Sequence, residues 1–80
     1  MDRVMTLANA PTGSIVEIVG VTGGYGFMQR ILEMGLLPGE IVRVEYNAGR
    51  GRIIISVRGT RLGLGRGVAS KILVRLKSYV

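Results

Sequence analysis

Arg30 to Val44, RILEMGLLPGEIVRV, is the stretch on which the fold turns. Its first part closes a short amphipathic helix: Phe27, Met28, Ile31 and Leu32 recur at helical spacing, with Gln29, Arg30 and Glu33 on the other side. Gly35 suits the left-handed residue that ends a helix. Pro38-Gly39 suits a turn in which proline pre-sets φ and glycine takes a positive one. From Glu40 the apolar period drops to two, which predicts a strand. Leu36 and Leu37 are expected to pin the connection onto the core.

Upstream, Ser14 to Val21 (SIVEIVGV) is rich in β-branched residues and reads as a strand, with Val16 and Ile18 inward and Ile15, Glu17 and Val19 outward. Before it, Met1 to Val4 is expected to fray, and Thr6 to start a turn of helix through Leu7, Ala8 and Ala10 that Pro11 ends. Between strand and helix lies the densest glycine run, Gly20-Val21-Thr22-Gly23-Gly24-Tyr25-Gly26. A glycine loop running into a helix N-terminus is the setting of phosphate cradles. This one lacks the Lys and Ser/Thr of a Walker loop and an acidic residue on a second parallel strand, so it reads as a tight surface loop displaying Tyr25 and Phe27.

Downstream, Glu40 to Tyr46 alternates, with Val42, Val44 and Tyr46 on one face and Ile41, Arg43 and Glu45 on the other. Asn47 to Gly51 has hairpin length. Arg52 to Arg58 is the next strand, with Ile53, Ile55 and Val57 inward, and Gly59-Thr60 turns the chain so that Leu62 and Leu64 return to the core. Gly65 to Lys71 predicts a short helical turn. Ile72 to Lys77 predicts a last strand with Ile72, Val74 and Leu76 inward, after which Ser78 to Val80 trails off. The expected fold is mainly β: a small antiparallel barrel of about five strands with one inserted short helix, closed so that its sheet edges are hidden. One domain spans residues 1–80.

Composition removes several function classes. With no Cys and no His, and five scattered carboxylates (Asp2, Glu17, Glu33, Glu40, Glu45), the chain offers neither a metal site nor a catalytic constellation. No catalytic residue, cofactor or resident metal is expected, and the chain is not read as an enzyme. No apolar run approaches the roughly 20 residues that cross a bilayer, and the first residues lack the apolar core of a signal peptide, so a soluble, cytoplasmic chain is expected. The net charge of +6 is uneven: through Val42 two basic residues face four acidic ones, and from Arg43 nine face Glu45 alone. Such asymmetry suits an anionic partner.

Taken together, the order and spacing of these pieces resemble the FeoA family, the small ferrous iron transport protein A, from Leu7 to Leu76. The most specific pieces are Leu32-Glu33-Met34-Gly35-Leu36 followed by Pro38-Gly39, and Val57-Arg58-Gly59 followed by Leu62-Gly63-Leu64. The resemblance implies an SH3-like barrel. It also implies an accessory role in ferrous iron uptake, exercised by protein-protein interaction with the FeoB-type membrane transporter and its cytoplasmic GTP-binding domain. The chain departs from the family pattern before the last strand, where an acidic pair is common and Gly63-Leu64-Gly65-Arg66-Gly67-Val68 stands here. Iron-dependent repressors carry a related domain at their C-terminus, but no helix-turn-helix precedes this one.

Function is thus expected from the surface. The expected partner-contacting residues are Tyr25, Phe27, Arg30, Leu36, Arg58, Arg61 and Arg66. Ile15, Val19, Ile41, Ile54 and Leu73 fall on outward strand faces and divide between packing under the helix and forming a contact patch, for a partner or a homo-oligomer. The basic second half would also suit peripheral contact with an anionic membrane. The alternative reading is a small basic barrel binding nucleic acid non-specifically, against which stands the lack of a row of exposed aromatics for base stacking.

Overall fold

The computed structural model describes residues 3–79. Six strands form one sheet: β1 (Val4–Thr6), β2 (Ser14–Val21), β3 (Ile41–Tyr46), β4 (Ile53–Val57), β5 (Thr60–Leu64) and β6 (Ile72–Tyr79). All neighbours are antiparallel, in the order β1-β6-β2-β3-β4-β5. A 3₁₀ turn (Leu7–Asn9) follows β1, α1 (Tyr25–Glu33) joins β2 to β3, and α2 (Arg66–Ala69) joins β5 to β6.

The core is what the alternation predicts. Val16, Ile18, Val42, Val44, Ile53, Ile55, Val57, Ile72 and Val74 all point inward and are buried. Leu64 joins them from the end of β5, and Leu7, Ile31, Leu36 and Ala69 from the turns and helices, so the non-strand segments act as plugs for the sheet's curl. Leu62 and Leu76 are only partly buried against this cluster.

The Gly35–Gly39 connection takes its shape from its own residues. Gly35 has φ +87°, its N–H donates to the Leu32 carbonyl (2.9 Å), and the Leu36 N–H donates to the Ile31 carbonyl (3.3 Å). Those two bonds make a Schellman cap, and its usual apolar contact is supplied by Leu36 and Ile31, both in the core. Next, the Glu40 N–H donates to the Leu37 carbonyl across Pro38-Gly39, with Gly39 at φ +92°, which makes a type II turn. Leu36 pins this connection alone, because Leu37 is 41% exposed.

Four expectations need correction. Val4 does not fray, because it pairs with Arg75 as part of β1, a strand with no alternation of its own; the strands therefore number six. Residues 78 and 79 do not trail off, since β6 continues beside Ser14 and Ile15 of β2. Tyr46 is 54% exposed rather than inward, because an irregularity between Val44 and Tyr46 in the β3–β4 ladder shifts the alternation by one. Finally, the ladder does not close: β1 and β5 are the two ends of the sheet. Across that seam the 3₁₀ turn packs on α2 instead of strand pairing with strand. Residues 1, 2 and 80, expected to be frayed or trailing, lie outside the described residues.

Candidate functional site

No ligand-sized pocket opens among the described residues, and no cluster of Asp or Glu there could hold a metal ion. Three of the carboxylates are occupied with bases. Glu40 meets Arg58 at 2.7 Å, Glu17 lies 3.6 Å from both Arg75 and Lys77, and Glu45 lies 3.9 Å from both Arg43 and Arg61.

What the surface does offer is apolar. Five of the seven large hydrophobics left exposed fall between Tyr25 and Ile41: Tyr25 (81%), Met28, Leu32, Leu37 and Ile41. The first three sit at i, i+3 and i+7 of α1, along the flank beside the line of Phe27, Ile31 and Met34 that packs on the core. The glycine loop that carries α1 outward begins at Gly20 and turns at Gly23, with φ +124°. An apolar stripe on the solvent side of an otherwise short, core-anchored helix is the feature on this molecule best suited to a protein contact.

The seven expected contact residues do not converge. Tyr25 is on the stripe. Phe27, two residues on, is instead half-buried against the core, with the Lys71 ammonium 5.0 Å from its ring centroid. Arg30 is exposed on α1, away from the Tyr25 side. Leu36 is fully buried and has no surface to offer a partner; it is a core residue, correcting that expectation.

Arg58 is at the β4–β5 turn and is the one non-glycine residue at positive φ (+53°) among the described residues. Its Nε and Nη2 donate to the two Glu40 oxygens at 3.0 and 2.7 Å, clamping that hairpin to the Pro38-Gly39 turn. The hydrogen bond, then the charge, of Glu40 raises the Arg58 guanidinium above its ordinary arginine value. Arg61 is largely exposed on β5.

Arg66 is half-buried at the seam. Its Nη1 donates to the Ala8 carbonyl (2.9 Å) and its Nη2 to Asn47 Oδ1 (2.7 Å). Asn47 in turn donates through Nδ2 to the carbonyls of Ala8 (2.9 Å) and Ala10 (2.7 Å), and its Oδ1 accepts from the Gly49 N–H. Asn47 is thus the junction of α2, the 3₁₀ turn and the β3–β4 loop, a role nothing in its hairpin-loop setting announces. Met28 and Leu32, the other two members of the stripe, were legible as helix positions but not as exposed ones.

The chain matches the family model for the FeoA domain over residues 5–76. It is 38% identical over 73 residues to "Putative Fe(2+) transport protein A" of Methanocaldococcus jannaschii, covering 91% of this chain and 88% of that one. Among solved structures, the crystal structure of an iron uptake regulatory protein (FeoA) superposes with a TM-score of 0.87 at 35% identity, covering 94% of this chain and all of that one. The zinc complex of Stenotrophomonas maltophilia FeoA, described as a procaryotic SH3 domain protein, gives a TM-score of 0.76 at 25% identity, covering 88% of each chain.

Proposed function

The chain belongs to the FeoA family, and from that premise we propose that it acts in ferrous iron transport as an accessory protein that binds the cytoplasmic GTP-binding domain of a FeoB-type membrane transporter. The observation that carries this reading is the exposed stripe of Tyr25, Met28 and Leu32 on α1. The molecule displays apolar surface where a lone domain would present polar side chains, and the described residues form neither a pocket nor a ligand cluster. A role as ferrous iron transport activating factor has also been raised for the Stenotrophomonas relative.

The physical division of labour follows. Ile31 and Leu36 hold α1 to the barrel, so the stripe is presented on a fixed element and little ordering is required on binding. No helix among the described residues is long and apolar enough to cross a membrane, so membrane attachment would come through the transporter or the basic surface.

Calorimetric titration of the transporter's cytoplasmic domain with the full chain tests the reading. Saturable micromolar binding is expected, and Tyr25→Ser combined with Leu32→Ser is expected to weaken it by about tenfold or more, the loss typical of truncating central apolar anchors. Absence of heat up to several hundred micromolar, or undiminished affinity of the double variant, would overturn it.

A further inference from the structure

The open end of the sheet at β5 leads away from α1 and to a different partner. β5 has one strand neighbour, β4, and its far side is not covered by another strand. The β4–β5 connection is a two-residue turn, Arg58-Gly59, with φ of +53° and +78°. In a turn of that kind the flanking pair Val57 and Thr60 is hydrogen-bonded, and bonding alternates along the hairpin. Thr60, Leu62 and Leu64 therefore spend their backbone groups on β4, while Arg61 and Gly63 direct theirs to the open edge. No turn or loop of the described residues takes those groups up by a backbone bond.

The same edge is net cationic, with Arg43, Arg52 and Arg61 set against Glu45, which lies 3.9 Å from Arg43 and Arg61. Arg61 and Arg43 lie in one row across the outer face, with Ser56 of β4 between them. Arg52 reaches across β5 at Gly63, and its Nη2 donates to the Gly63 carbonyl at 3.3 Å. Position 63 has to be glycine for this: a Cβ there would sit 2.6 Å from Arg52 Nη2. The missing side chain lets a guanidinium lie along the edge.

We propose that the β5 edge binds an extended acidic segment of another protein, which adds to the sheet as a further strand. Arg61 supplies its backbone N–H and carbonyl and Gly63 its N–H, the Gly63 carbonyl being held by Arg52. The residues of the incoming strand opposite them share the outer face with Arg61 and Arg52 and are carboxylates, since opposite charges stabilise cross-strand pairs. The residue between them lies beside half-buried Leu62 and is apolar, so the recognised pattern is acidic-apolar-acidic. A second copy of this chain would bring Arg61 and Arg52 against their own kind, so the charges that recruit an acidic strand repel self-pairing.

The test uses the full chain, isotopically labelled, and a fluorescein-labelled blocked peptide, Thr-Glu-Val-Glu-Val-Glu-Thr. Saturable binding is expected, with slowed solvent exchange at the amides of Arg61 and Gly63 and little change at Leu62. A peptide with Lys for Glu is expected not to bind. Arg61→Glu, at an exposed site that leaves folding intact, is expected to weaken binding about three- to tenfold and to let the Lys peptide bind. Gly63→Ala, which need only push aside the tip of Arg52, is expected to weaken it similarly. The proposal is overturned if those two amides keep their exchange rates, if the Lys peptide binds equally, or if oligothymidine binds the same residues in place of the peptide. A β5-mediated dimer in sedimentation would overturn it as well.

Discussion

Asn47 shows how much of this molecule rests on single polar side chains. With Asn47→Ala, the Ala10 carbonyl loses the side-chain donor it has, and Arg66 and the Ala8 carbonyl lose one partner each. Leaving such groups unpaired costs about 1–3 kcal/mol each, offset by water where it can enter, so a net loss of about 2–3 kcal/mol is expected. For a domain of this size that is a fall of roughly 10–20 °C in Tm, readable by thermal melting. Arg58 makes the second residue-scale case. At φ +53° asparagine is tolerated and a β-branched residue is not, so Arg58→Val is expected to melt well below Arg58→Asn although both lose the Glu40 clamp. Because Glu40 raises the Arg58 pKa, the stability from this shift is complete below the ordinary arginine range and is lost only as pH climbs through the raised value. Melting curves across neutral pH should show no transition owed to Arg58. Neither role was visible in the sequence, because each depends on partners more than fifteen positions away.

At the scale of elements, legibility follows the range of the forces. The α1 cap and the Pro38-Gly39 turn are dictated by neighbours in sequence, and both take the form their residues predict. β1 and the β3 irregularity are set by pairing partners, and these the sequence could not show. The same division explains the candidate site: the helical spacing of Met28 and Leu32 is local, whereas which side of α1 faces water depends on where Ile31 and Leu36 anchor it. Leu36 therefore belongs to the fold. Leu36→Ala is expected to cost about 2–5 kcal/mol by leaving a cavity, and to reduce partner binding only as far as it unfolds the chain. Chemical denaturation run beside binding at several temperatures separates the two effects.

For the whole molecule, the basic second half and the apolar α1 stripe make opposite claims about what drives association. Much of the positive charge is spent internally, on Glu17, Glu40, Glu45 and the seam carbonyl of Ala8. Binding of the transporter domain through α1 should thus change little between about 50 and 500 mM salt, whereas phosphate-driven binding falls steeply over that range. The double variant Tyr25→Ser with Leu32→Ser should stay folded with a modest fall in Tm, owed to Leu32, which is 39% exposed, more than to Tyr25, which is 81% exposed. At the seam the 3₁₀ turn and α2 pack on each other, while β4 is the one element in extensive contact with β5, so the β5 edge is open to a second and different contact.

The central claim, that this domain works by presenting the outer side of α1 to a protein, is tested most directly by titrating the isotopically labelled chain with the transporter's cytoplasmic GTP-binding domain and mapping the perturbed amides. The account predicts changes concentrated at Tyr25, Met28, Leu32 and Leu37, saturating with the binding isotherm. Changes confined to the arginine-bearing outer face of β3 to β5, or none at all, would contradict it.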